Sequence, residues 1–254
     1  MKPRLVVKVG TSTLTAGTNR ISRGKLEDLA RQMDALRTQY DIILVSSGAI
    51  AAARQFISIH GWETQVASKQ AMSAIGQPKL MQMYSEVFSD FGLNTAQCLM
   101  TYRDFENATS RENTANTLDQ LLKHGFIPII NENDTVAVEE ILLGDNDKLS
   151  ALVATLVNAQ TLIIASDIDG LFDKNPKIHA DARLIEEISE LPEAARFIEE
   201  KANGLGTGGM TSKIAAVRIC FEKKIDVFLV NGSRANFIAE SLNGTVKFTR
   251  FKAG

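Results

Sequence analysis

Lysines, carboxylates and glycines stand in this chain in groups that packing alone does not call for. Lys8-Val9-Gly10-Thr11-Ser12 sets a lysine inside an apolar run and follows it with a glycine turn. A lysine buried at such a strand end needs a charged partner, whereas an edge-strand lysine reaches solvent and needs none. Ser46-Ser47-Gly48 closes a second apolar run. There Ser47 either caps the next helix or offers its hydroxyl to a carboxylate or phosphate. Asn131-Glu132-Asn133-Asp134 closes a third run and Ser166-Asp167 a fourth. Gly144-Asp145-Asn146-Asp147 places two carboxylates around an amide just ahead of a helical pattern. That group reads as a helix cap or as a seat for a divalent cation, although the other ligands of an EF-hand loop are missing. The three histidines, His60, His124 and His179, are too scattered to ligate a metal together.

Residues 204–209, with four glycines in six positions, formally fit G-x-G-x-x-G. A dinucleotide site needs a strand just before that motif and an acid at the end of the next strand. Pro192 to Ala202 instead reads as helix, and Asp226 stands ahead of the run Val227 to Val230. A P-loop fails as well, because Met210 follows Gly209 where a lysine is required. What remains is a glycine-rich loop entering a helix, with Lys213 expected in its first turn. Such a helix start offers free N–H groups and a positive dipole end to phosphate.

These groups need elements to hold them. Arg4 to Val9, Ile42 to Val45, Ala96 to Met100, Phe126 to Ile130, Thr161 to Ala165 and Val227 to Val230 read as strands. Helical spacing covers Arg23 to Gln39, Ala49 to Phe56, Glu106 to His124, Leu149 to Leu156 and the stretch after Gly209. A longer pattern, Ser68 to Phe91, is expected to break at Gly76-Gln77-Pro78. Asn131 to Leu143 suggests a projecting hairpin. Apolar strands alternating with helices predict an α/β fold with a mostly parallel sheet covered on both faces. The polar groups then fall at the carboxyl ends of the strands, along the edge where such sheets bind ligands.

Bulk properties exclude other classes. Among 254 residues, Lys and Arg number 28 against 30 Asp and Glu, which gives no electrostatic basis for nucleic acid as the main partner. No segment has the length of a membrane span or a signal peptide, so a cytoplasmic protein is expected. Cys98 and Cys220, far apart and in apolar contexts, read as two buried thiols.

VVKVGTSTLT, VSSGAIAA, SKQAMSAIGQPKLM, PIINENDTVA, LGDNDKLSALVA, SDIDGLF and GLGTGGMTSK follow one another from Leu5 to Lys213. Together they resemble the amino acid kinase family, and within it the glutamate 5-kinases. The resemblance implies a three-layer αβα sandwich of the carbamate kinase-like kind. It implies ATP-dependent phosphorylation of the side-chain carboxylate of L-glutamate, with Mg²⁺ on the nucleotide, as the first step of proline biosynthesis. Lys8 and Lys213 match the two lysines that stabilise the transferring phosphoryl group, and Asp147 the acid that holds them. Ser47, Asp134 and Asn146 match glutamate-binding positions, with Asp145 in the same loop. Lys8, Ser166, Asp167, Thr207, Gly208, Gly209, Met210, Thr211, Ser212 and Lys213 match nucleotide-binding positions. Ser166-Asp167 replaces a commoner Thr-Asp and Met210-Thr211-Ser212-Lys213 a commoner Met-x-Thr-Lys; both changes keep hydroxyls nearby. The chain ends at Gly254, soon after the kinase core, so the resemblance implies one domain over residues 1–254 without the C-terminal PUA domain of many relatives. It further implies proline as a feedback inhibitor, a homo-oligomer, for which the apolar Ser68 to Phe91 helix offers a surface, and a glutamyl phosphate reductase as partner. Sister kinases of acetylglutamate, carbamate or nucleoside monophosphates are the nearest alternatives. A non-catalytic regulator on the same fold is a further one, disfavoured because both lysines and Asp147 are kept.

Overall fold

The computed structural model describes residues 2–58, 65–137, 146–176, 178–190 and 208–254. Its centre is an eight-stranded sheet in the order β3-β4-β2-β1-β5-β7-β8-β6. The strands are β1 Arg4–Val9, β2 Asp41–Ser46, β3 Asn94–Met100, β4 Phe126–Glu132, β5 Thr161–Ser166, β6 Glu187–Ile188, β7 Asp226–Asn231 and β8 Thr249–Phe251. From β3 to β7 all neighbours are parallel; β8 runs antiparallel to β7, and β6 follows β8.

Strand alternation divides the core into two layers. Leu5, Val7 and Val9 pack on one face with α2 (Arg23–Leu36), α4 (Val66–Ser89) and α9 (Phe237–Asn243), through Leu29, Tyr84, Phe88 and Phe237. Val6, Ile43 and Val45 pack on the other with α6 (Ala108–Lys123), α7 (Asp147–Leu156) and α8 (Gly208–Phe221), through Leu118, Leu149, Val153 and Val217. Near-continuous burial of β1, β2 and β5 is what a parallel sheet covered on both faces requires. The expected αβα sandwich is therefore present. The chain leaving β1 runs to β2 on one side, whereas the chain leaving β5 runs to strands on the other. The gap between β1 and β5 is thus the switch point of the sheet, at the edge where ligands bind in such folds.

Several elements differ from the sequence expectation. Helix α4 runs unbroken through Pro78. Pro78 loses one intrahelical hydrogen bond, but Met72, Leu80, Tyr84 and Phe88 are fully buried around it and hold the helix in place. Gly76 lets α4 press against the short α3 (Ala49–Ala53): a Cβ there would stand 1.8 Å from the Ala49 carbonyl oxygen. Gly76→Ala is therefore expected to lower Tm by about 10 °C, from roughly 3 kcal/mol of overpacking, in a thermal-melt comparison with wild type. The helix expected over Glu106 to His124 is two helices, α5 (Tyr102–Glu106) and α6, because Asn107 is extended and caps α6 through Ser110 N. Asn131 and Glu132 prolong β4 and residues 134–136 form a turn; residues 138–143 of the expected hairpin lie outside the described residues, as does the helix expected from Pro192. The short α1 (Thr11–Thr15), α9, β6 and β8 were too brief for a periodic pattern to reveal. Cys220 is buried, and burial pushes its thiol up to about 12; Cys98 is only half-buried.

Candidate active site

Because Lys8 shares the face of Val6, its side chain turns toward α7 and α8. Lys8 Nζ lies 2.7 Å from Asp147 Oδ1, and both side chains are sealed from solvent. Asp147 opens α7. Its other oxygen accepts from Lys213 Nζ at 2.9 Å and from Ser212 Oγ at 3.0 Å. Lys213 stands in the second turn of α8 rather than the first, since that helix already begins at Gly208. Burial alone raises the pKa of Asp147, but the ammonium groups of Lys8 and Lys213 outweigh it and hold the carboxyl below the ordinary range. One carboxylate thus fixes two ammonium groups and leaves one net positive charge at the switch point. A Cβ on Gly10 would lie 3.5 Å from Lys8 Nζ, so a glycine there keeps the space beside the ammonium open. The three residues are brought together as a unit that can hold a phosphate oxygen between two cations.

A second polar group adjoins it on the β2–β4 side. Asn146 occupies the N-cap position of α7 yet makes no side-chain cap bond. Its Nδ2 instead donates to Asn131 Oδ1 at 2.8 Å and Ser47 Oγ at 3.1 Å. Ser47 and Asn131 stand at the ends of β2 and β4, so Asn146 ties the two strand ends together. Asp134 is held from α4: Ser73 Oγ donates to Asp134 Oδ2 at 2.5 Å, and Gln70 Nε2 to its carbonyl at 2.9 Å. Burial raises the Asp134 carboxyl above the usual range, partly offset by the Ser73 bond. Asp134 Oδ1 and Asn146 Oδ1 are both buried, with no hydrogen-bond partner among the described residues. Two buried acceptors left open are suited to a cationic or donor group from a ligand.

The remaining sequence candidates are placed as follows. Ser166 closes β5, buried, with its hydroxyl 3.4 Å from Asp167 Oδ1, and Asp167 is exposed. Gly208, Gly209, Met210, Thr211 and Ser212 form the first turn of α8 and the start of its second. Asp145 and Thr207 lie outside the described residues. The sequence assigns no role to Gln70, Ser73 or Gln77, and it offers Asn131 only as a member of a polar strand-end group. A signal exists for the three on α4: 70, 73 and 77 repeat at helical spacing, a polar stripe along one face of the helix. Asp169 was passed over as well; it accepts from Arg234 and Asn231 and so ties the loop after β5 to the loop after β7. Two surface hollows of about 400 and 460 Å³ run along α6 and touch none of these groups.

The model of the "Amino acid kinase family" matches residues 3–231. The chain belongs to the amino acid kinase family. Among the curated members of the amino acid kinase family that it resembles, Glutamate 5-kinase of Lactococcus lactis subsp. lactis (strain IL1403) is 44% identical over 247 residues, covering 95% of this chain and 92% of that one. Glutamate 5-kinase of Symbiobacterium thermophilum is 43% identical over 242 residues, 95% of this chain and 92% of that one. Glutamate 5-kinase of Caldanaerobacter subterraneus subsp. tengcongensis is 46% identical over 237 residues, but there the chain spans only 64% of its relative. The carbamate kinase from Giardia lamblia bound to AMP-PNP superposes with a TM-score of 0.71 at 15% identity, over 99% of this chain and 98% of that one. The UMP kinase from Ureaplasma parvum does so with a TM-score of 0.64 at 17% identity, over 99% of each chain. At such identities these two structures establish the amino acid kinase fold and nothing finer.

Proposed function

We propose that this protein transfers the γ-phosphoryl group of ATP to the side-chain carboxylate of L-glutamate, giving L-glutamyl 5-phosphate and ADP as the first step toward proline. The similarity to curated glutamate 5-kinases over nearly the whole chain supports the substrate. The carrying observation is the dipeptide Asn146-Asp147, whose first residue joins the β2–β4 acceptor group and whose second grips both lysines. That continuity supports an amino-acid subsite beside a phosphate subsite.

In this reading ATP lies over the ends of β1 and β5 with its phosphates toward Lys8, Gly10 and the head of α8. Ser166, Asp167 and residues 207–213 hold the nucleotide. Glutamate lies across Ser47, Asn146 and Asp134. A γ-carboxylate oxygen attacks the γ-phosphorus, the bond to the β,γ-bridging oxygen breaks, and its electrons leave with ADP. That carboxylate is already ionised near pH 7, so no general base is needed. Charge on the moving phosphoryl group is met by Lys8 and Lys213, and alignment supplies the rest. Mg²⁺ would ride on the nucleotide phosphates, where it would supply charge neutralisation.

Asp134 separates this reading from a kinase of acetylated substrates, because its open oxygen suits the α-ammonium of a free amino acid. Asp134→Asn is expected to raise the KM for glutamate roughly tenfold to a hundredfold, with kcat little changed. In the wild type the same KM should climb as pH falls through the raised pKa of Asp134, since the protonated form cannot pair with an ammonium. Steady-state kinetics across mildly acidic pH checks both, and a flat profile removes the assignment.

The function itself is tested by trapping the acyl phosphate with hydroxylamine, supplying ATP, Mg²⁺ and glutamate, acetylglutamate or aspartate. Hydroxamate with glutamate alone supports the proposal; product with another acid alone moves the protein to a sister kinase. Proline, which shares the α-ammonium and α-carboxylate, is expected to lower the glutamate signal in the same assay. An acyl phosphate hydrolyses readily, so a reductase that consumes it is the partner this chemistry favours.

A further inference from the structure

Side-chain amides run in line from the edge of the sheet to the amino-acid subsite, all facing the same way. Gln77 Nε2 donates to Gln97 Oε1 at 3.3 Å, Asn131 Nδ2 to Gln77 Oε1 at 2.9 Å, and Asn146 Nδ2 to Asn131 Oδ1 at 2.8 Å. An amide can exchange its oxygen and nitrogen by turning over, so such a line needs fixed groups to set its direction. Two backbone groups do so here. The Glu132 N–H donates to Asn131 Oδ1 at 2.9 Å, which makes that atom the oxygen. The Ser46 carbonyl accepts from Asn146 at 3.4 Å, which makes that atom the nitrogen. Asn146 is consequently left with Oδ1 as its open, buried atom.

Gln77 closes the line from the other side. It is buried on α4, and its Oε1 is the acceptor for Asn131 Nδ2. Without that acceptor, Asn131 keeps a buried N–H₂ with nothing to receive it, and the strain pulls the side chain from its place against the Glu132 N–H. A displaced Asn131 withdraws the shortest of the bonds that hold Asn146 Nδ2, leaving the longer ones to Ser47 and the Ser46 carbonyl. The carbonyl oxygen of Asn146 is then held less firmly toward a ligand's ammonium.

We propose that Gln77 is a positioning residue of the amino-acid subsite, acting through Asn131 to keep the carbonyl oxygen of Asn146 toward the α-ammonium of the substrate. The proposal rests on the reading of that subsite as one for a free amino acid. It is tested with Gln77→Met, which fills the volume but accepts no hydrogen bond there, and Gln77→Glu, which keeps an acceptor facing Asn131. Gln77→Met should raise the glutamate KM about tenfold while the ATP KM and kcat stay within about twofold. Gln77→Glu should return the glutamate KM to within about threefold of wild type. A glutamate KM unchanged in Gln77→Met, equal rises in both substrates' KM, or no difference between the two variants overturns the proposal. Thermal melts of each variant separate loss of fold from loss of positioning, and Gln77→Leu serves if Gln77→Met does not fold. Wild-type protein without glutamate-dependent hydroxamate overturns the functional reading and this inference with it; active wild type with indifferent variants overturns only the latter.

Discussion

Lys213→Ala is expected to lower kcat by about two to three orders of magnitude while leaving the KM for glutamate within about threefold. The lysine reaches the site from α8 and bonds to Asp147 at 2.9 Å and to the Gly209 carbonyl at 3.1 Å, so both anchors belong to the protein. Its ammonium is thus placed before substrates arrive, and its stabilisation is greatest when charge develops on the moving phosphoryl group. The proposed glutamate contacts, Ser47, Asp134 and Asn146, lie on the Asn146 side of the dipeptide Asn146-Asp147 and are untouched. Lys213→Arg should recover little, because a planar guanidinium cannot replace a point charge held between Asp147 and a backbone carbonyl. Steady-state kinetics of purified variants decide it: a variant with near-normal kcat, or one whose whole loss sits in KM for glutamate, contradicts the role.

Asp147→Asn should damage the protein twice over. Lys8 and Lys213 would remain close together with no negative charge between them, and Lys8 is only 3% exposed. Removing one partner from a buried ion pair leaves the other uncompensated, at a cost of about 3–5 kcal/mol. A Tm lower by about 10 °C or more is expected, and kcat lower by about a thousandfold as the lysines drift from their places. The acid limb of stability carries a separate signature. Asp147 has its pKa depressed in the folded state, so the unfolded chain takes up its proton first as pH falls. Its stabilisation is complete above the ordinary carboxylate range and is lost as pH drops toward the folded-state value. Wild type should therefore lose stability below about pH 4 more steeply than Asp147→Asn. Denaturant melts between pH 3 and 7 measure this, and parallel curves would count against the triad.

How much of this could be read in advance differs from residue to residue. Lys8 in an apolar strand either needs a counter-charge or reaches solvent from a sheet edge, and its pair with Asp147 in the central β1 decides for the first. Which acid supplies the charge does not follow from the residues alone, because the two lie far apart in the chain; the resemblance implies Asp147, and the close approach of α7 to β1 joins them. The strand ends were legible, since short apolar runs stop abruptly at Ser46, Asn131 and Ser166. Asn146 was ambiguous between cap and ligand for a physical reason: the same side chain and φ/ψ freedom serve both. Only the geometry, with no cap bond formed and three acceptors engaged, separates them. Pro78 hid the continuity of α4, and with it the meaning of the polar stripe Gln70, Ser73 and Gln77. Local chain preference argues for a break there, and tertiary packing overrides it. Elements as short as β8, with three residues, carry too little periodicity to be seen at all.

The place of β1 in the sheet has a kinetic side. It comes first in the chain yet lies in the middle, paired with β2 on one flank and with β5 on the other. During synthesis β2 is available early, whereas the β5 flank stays vacant until much of the chain has followed. Closing so long a loop is slow, which places the union of β1 and β5 late in folding. The gap between those strands is also where Lys8 meets Asp147 and Lys213. A nascent or half-folded chain therefore has no means of gripping a triphosphate, and ATP should bind and protect only molecules that have finished folding.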